Sequence, residues 1–134
     1  MKIILDTNVF VSGVFFNGPP FEILGAWREG KFEVIVSPEI LEEYSRVGEL
    51  LALDYPPINL RRVLDFVVQN STLVKSPPLP VQVCEDREDD KFLACALASG
   101  SKLIVSGDKH LLKVSGYKDI EVLKPREFSD RYLG

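Results

Sequence analysis

Lys2-Ile3-Ile4-Leu5-Asp6-Thr7-Asn8 is a short apolar, β-branched run that ends in three polar residues. Such a run reads as a buried strand with hydrogen-bonding side chains at its C-terminal end. Residues 32–36, 102–105 and 120–123 repeat the apolar part of the pattern, and Ser106-Gly107-Asp108 follows the run at 102–105 as directly as Asp6 follows Leu5. Residues 71–74 read as a short edge strand. Helical patterns fill the intervals. Phe21, Leu24 and Trp27 recur at helical spacing over 21–29, with Gly30 placed as a C-cap. Ser37-Pro38 opens a helix whose stripe is Ile40, Leu41, Tyr44, Val47 and Leu51. Residues 57–68 present Leu60, Val63, Leu64 and Val67, and a further helix runs from Asp86 to about Ser99, closed by Gly100. Gly13 and Asn17-Gly18-Pro19-Pro20 mark loops, and Ser76-Pro77-Pro78-Leu79-Pro80 a stiff connector. Strands separated by helices imply a three-layer α/β/α sandwich around a parallel sheet of about four to five strands.

With 134 residues and 46% hydrophobic content, the chain suits one compact domain over 1–134. The opening residues carry one positive charge and too short an apolar run for a signal peptide. No stretch approaches the roughly 18 apolar residues of a membrane helix, so a soluble, cytoplasmic protein is expected. Cys84 and Cys95, without a CxxC or Cys/His cluster, read as reduced thiols, Cys95 as a packing residue within Ala94-Cys95-Ala96-Leu97. A net charge of −4 argues against holding nucleic acid by overall attraction. It is compatible with acids gathered in one pocket behind a basic rim, for which Lys2, Arg28, Lys31, Arg46, Arg61, Arg62 and Arg87 are candidates.

The acids themselves carry the chemistry. In an open parallel sheet, ligands bind beyond the carboxyl ends of strands at a topological switch point, where Asp6 and Asp108 are both placed. Turn formation or helix capping is the alternative for either aspartate. Glu43 falls within the apolar stripe of its helix while Glu42 and Glu49 fall on the solvent side, so it needs either a buried partner such as an arginine or a cation. Glu85-Asp86-Arg87-Glu88-Asp89-Asp90 precedes Phe92-Leu93-Ala94-Cys95-Ala96-Leu97. Asp86 suits an N-cap, and Asp90 aligns with Leu93 and Leu97 toward the interior, while Asp86 and Asp90 at i, i+4 repel without a counter-cation. Four carboxylates from four elements, with no cysteine or histidine beside them, make an all-oxygen set for Mg²⁺ or Mn²⁺ and disfavour zinc. His110, the only histidine, reads as a surface or helix-start residue. No nucleophile elbow, P-loop or dinucleotide fingerprint is present.

The order Leu5-Asp6-Thr7-Asn8, Ser37-Pro38-Glu39-Ile40-Leu41-Glu42-Glu43-Tyr44, Asp86-x-x-Asp89-Asp90-Lys91-Phe92-Leu93-Ala94-Cys95-Ala96, Ser106-Gly107-Asp108 resembles the PIN domain. It resembles especially the bacterial and archaeal PIN toxins of type II toxin-antitoxin systems. The resemblance spans residues 1 to about 123. It implies a five-stranded parallel sheet, an acidic metal site and cleavage of RNA. By position it assigns the four acids to Asp6, Glu43, Asp90 and Asp108, with Asn8, Ser106, Asp86 and Asp89 in support. It further implies a cognate antitoxin whose C-terminal segment covers the acidic crevice, and a homodimer. Two rival readings stand beside it. A haloacid-dehalogenase-like phosphatase also opens on a strand ending in aspartate, but needs an acid two residues on, where this chain has Asn8. A PIN fold that binds RNA or protein without cleavage would lack use for a complete acidic set.

Overall fold

The computed structural model describes residues 1–134, and its core is a five-stranded, wholly parallel sheet. The strands are β1 (Lys2–Leu5), β2 (Glu33–Val36), β3 (Thr72–Leu73), β4 (Leu103–Val105) and β5 (Glu121–Leu123), in the order β3-β2-β1-β4-β5. Ile3, Ile4 and Leu5 are fully buried, as expected of a central parallel strand covered on both faces. β1 pairs Leu5 with Val105 of β4, and the pairing continues as the Asp6 N–H donates to the Val105 carbonyl at 3.0 Å. The chain leaves β1 toward β2 and β3 on one side and returns to β4 and β5 on the other. The β1/β4 boundary is therefore the switch point, with Asp6 and Ser106-Gly107-Asp108 at its carboxyl ends.

Seven helices flank the sheet, giving the α/β/α sandwich: α1 (Thr7–Phe15), α2 (Pro19–Arg28), α3 (Pro38–Ala52), α4 (Leu60–Asn70), α5 (Asp90–Ser99), α6 (Lys109–Lys113) and α7 (Pro125–Phe128). α1 is absent from the expected elements, because Gly13 reads as a loop. Instead Gly13 lies inside the helix, where an added Cβ would come within 2.6 Å of Leu24 Cδ1 and 2.7 Å of the Pro20 carbonyl oxygen. The missing side chain is what lets α1 and α2 approach at a bend of 88°. α2 takes in Pro19 and Pro20, expected in a loop, as its first residues; proline is tolerated there because those N–H groups have no helical partner. It buries Ile23, Leu24, Ala26 and Trp27 but leaves Phe21, expected inward, exposed.

The Ser37 hydroxyl caps α3 by accepting from the Ile40 N–H at 3.3 Å. Tyr44 of α3 stacks on Phe10 of α1 with ring centroids 4.2 Å apart and donates its hydroxyl to the Leu5 carbonyl at 2.5 Å. Burial holds that phenol well above its ordinary pKa, so it remains a donor. α4 begins three residues later than its apolar pattern suggests, because Asn59 provides the cap, accepting from the Arg62 N–H. The segment expected to be one helix from Asp86 starts as a 3₁₀ turn, Arg87–Asp89, and becomes α-helical only at Asp90. Both cysteines are free and buried, and burial pushes each thiol up to about 12, which suits packing rather than reactivity. No single helix is long and apolar enough to cross a membrane.

Candidate metal centre

Asp6 is the N-cap residue of α1 by position, yet its carboxylate caps nothing. It is 4% exposed and accepts a hydrogen bond from the Ser106 hydroxyl at 2.6 Å, across the β1/β4 boundary. Ser106 also accepts from the Asp108 N–H at 2.9 Å, so one hydroxyl ties both aspartates to the end of β4. Burial raises the Asp6 pKa against the hydrogen bond from Ser106, and the charges of Asp108 and Glu43 raise it further. Asp108 does cap: its Oδ1 accepts from the His110 N–H at 2.6 Å at the start of α6.

The third acid of the group is Asp89. Its side chain is 14% exposed, and Oδ2 is buried without a hydrogen-bond donor. Burial, then the charges of Asp108, Asp6 and Asp86, push its pKa from 3.8 to about 6. Asp90, expected in this place, is buried too, but its carboxylate is taken up by the backbone. Its two oxygens accept the backbone N–H groups of Val83 at 3.0 Å and Cys84 at 2.7 Å, which fixes the chain leading into Asp86. The expectation aligned Asp90 with Leu93 and Leu97 toward the interior: Asp90 and Leu93 are buried, whereas Leu97 is 40% exposed. Phe92 and Ala96 are buried with Leu93, and Asp89 continues their line backward by helical steps. Nor do Asp86 and Asp90 form an i, i+4 pair, because Asp86 lies outside the helix and caps the 3₁₀ turn by accepting from the Glu88 N–H at 3.0 Å.

Glu43, on the inner side of α3, is reached by the Thr7 hydroxyl on Oε1 and by Lys91 Nζ at 2.6 Å on Oε2. Its partner is thus a lysine, with Arg46 more distant at 3.7 Å. Neither Thr7 nor Lys91 stands out in the sequence as a site residue. Asn8 is exposed in the first turn of α1, and Asp86 is exposed beside Asp89. Among the candidate basic residues, Lys2 sits at the opposite, N-terminal end of β1, where it donates to the Ser99 carbonyl, while Arg87 lines an open cleft of about 450 Å³ together with Lys91, Gln82 and Ser76.

The group is not purely oxygen. His110 Nδ1 lies 3.6 Å from Asp89 Oδ2 and 3.7 Å from Asp108 Oδ1, and ligand atoms of Asp86, Asp89 and His110 lie within 4.8 Å of one another. The imidazole was out of sight in the sequence because α6 brings it back over the end of β4. A divalent cation fits this arrangement: a buried carboxylate oxygen without a donor, among carboxylates that repel one another, is a group short of positive charge.

A family profile described as PIN domain matches residues 2–110, most of the chain and all the acids above. The chain belongs to the PIN-domain family. An uncharacterized protein of Methanocaldococcus jannaschii is similar to it, 31% identical over 144 residues in an alignment that takes in 98% of this chain and 92% of the relative. Membership in the PIN-domain family points to a nuclease-type activity, and PIN domains typically use divalent metals.

Proposed function

We propose that this PIN domain is a divalent-metal-dependent endoribonuclease acting as the toxin of a toxin–antitoxin pair. The observation that carries the nuclease reading is the buried, unpartnered oxygen of Asp89, a carboxyl that feels the charges of Asp108 and Asp6. Asp6, Asp89 and Asp108 would hold Mg²⁺ or Mn²⁺, both of which accept carboxylate-rich sites. A bound ion would supply positive charge to a scissile phosphate and acidity to a water, the chemistry needed to hydrolyse RNA to a 5′-phosphate. Ser106 holds Asp6 and Asp108 in register through its two hydrogen bonds. Thr7 of α1 and Lys91 of α5 hold Glu43 between them. Asp90 anchors the approach to Asp86 and Asp89, and Asn8 and Asp86 stand at the rim where substrate would meet the protein.

The toxin role, a cytoplasmic site of action and an antitoxin whose C-terminal segment covers the crevice rest on the resemblance of the motifs to PIN toxins. A homodimer draws support from apolar side chains left exposed at the ends of α1 and α3: Phe16, Leu50, Leu53 and Tyr55, with the Phe16 and Tyr55 rings 5.2 Å apart.

Labelled RNA incubated with wild-type protein, Asp6→Asn or Asp89→Asn, in Mn²⁺, in Mg²⁺ and in EDTA, tests the activity. Cleavage by wild type with metal is expected, abolished by EDTA and reduced about 100-fold or more in each variant. No cleavage of several RNAs together with no binding of Mn²⁺ would move the function to a PIN fold that binds RNA or protein without cutting.

A further inference from the structure

Glu43 differs from the three aspartates in that both of its oxygens are already occupied by the protein. The Thr7 hydroxyl donates to one, and Lys91 Nζ lies 2.6 Å from the other. The lysine and glutamate side chains are only 16% and 17% exposed, so the pair is held largely out of water. The other charges near it are more distant and more solvated: Arg46, 3.7 Å from Glu43, and Glu88, 3.9 Å from Lys91. Asp89, by contrast, has an oxygen with no donor, and the one hydroxyl offered to Asp6 serves only its Oδ2. The crevice is therefore divided. One half carries its own ammonium, and the adjoining half has only the imidazole of His110, 3.6 Å from Asp89 Oδ2 and 3.7 Å from Asp108 Oδ1.

Division of this kind bears on how many ions the crevice takes. An ammonium is a compact point charge, unlike the flat guanidinium, and at 2.6 Å it stands against Glu43 as a cation would. A divalent ion entering beside Glu43 would have to expel Lys91 and leave it unpaired in a desolvated place, which is strongly unfavourable. We propose that Lys91 is the resident cation of the Glu43 side and excludes a second divalent ion, so that the protein binds one divalent cation, at Asp6, Asp89 and Asp108. This rests on the metal-dependent reading above and adds to it a stoichiometry and a residue that sets it.

Equilibrium dialysis of the purified full chain against Mn²⁺, with electron paramagnetic resonance of the bound ion, reads the stoichiometry directly. One Mn²⁺ per chain is expected for wild type and for Lys91→Arg, and two for Lys91→Gln. Glu43→Gln, which keeps the shape of the side chain, is expected to bind one Mn²⁺ as well. Two ions bound by wild type would overturn the proposal and leave the metal-dependent reading standing, whereas none bound would overturn both. A folded Lys91→Gln that still binds one ion, or a loss of binding in Glu43→Gln, would also overturn it. The Glu43→Gln and wild-type measurements decide the matter even if Lys91→Gln does not fold.

Discussion

Among single residues, Asp89 and Asp6 are the ones whose protonation the fold works against. Both are raised above the ordinary value of 3.8 chiefly by burial, Asp89 to about 6. Between those two pH values the folded chain binds more protons at Asp89 than the unfolded chain does, so stability falls as pH rises through the window. The metal-free melting temperature is expected to decline from about pH 4 to about pH 6 on this account, measured by calorimetry in EDTA. A cation requires the deprotonated acids, so the rise in melting temperature on adding Mn²⁺ should grow over the same interval and vanish in Asp6→Asn. Asp89→Asn removes a carboxylate that the fold disfavours. Without metal at neutral pH it should match or exceed wild-type stability, by about 1 kcal/mol after allowance for screening, and show no response to Mn²⁺. Asp90→Asn should behave in the opposite way. Replacing one of two acceptor oxygens with a donor costs about 1–3 kcal/mol in denaturant unfolding, while the Mn²⁺ response persists. Asp6, Glu43 and Asp108 were legible because each interrupts or ends an apolar pattern. The choice between Asp89 and Asp90 was not, since it turns on whether the helix starts at Asp86 or, after a 3₁₀ turn, at Asp90, and a shift in start changes which side chain faces in. Lys91 and Thr7 acquire meaning only once α5 and α1 are packed beside α3.

The elements themselves divide along similar lines. Strands of Ile, Val and Leu announced themselves by composition, and Ser37, Gly30 and Gly100 marked helix ends through caps that the structure bears out. α1 did not, because a glycine inside an apolar run has two readings, a break or a place of close approach, and only the neighbour decides. The Gly13 contacts fall on the Pro20 backbone as well as on Leu24, so the helices must separate to admit a methyl group. Gly13→Ala is expected to destabilise the fold by about 1–3 kcal/mol in urea unfolding, despite the better helix propensity of alanine. Tyr44→Phe probes the junction of α3 with β1. It leaves the Leu5 carbonyl without its donor at the residue before Asp6, with an expected loss of about 1–3 kcal/mol and weaker Mn²⁺ binding, read by titration calorimetry.

On the scale of the whole molecule, the α/β class followed from alternating patterns, whereas the strand order did not, because pairing between strands leaves no mark in any one of them. The exposed apolar residues at the ends of α1 and α3 likewise emerge only from the assembled surface. Leu53, 78% exposed, is the most open of them. Leu53→Glu should convert a homodimer to monomer in light scattering without altering the Mn²⁺ response; unchanged mass would remove this face as the dimer contact. The order β3-β2-β1-β4-β5 has one more consequence, which belongs to the time of synthesis. Asp6 leaves the ribosome well before the hydroxyl that holds it, which belongs to Ser106, 100 positions later. Of the two eventual neighbours of β1, β2 is made first, and the central pairing with β4 waits on all the elements between, a long-range closure that slows folding. A nascent chain that stops short of β4 lacks both Ser106 and Asp108, so the acidic crevice cannot assemble on a truncated translation product.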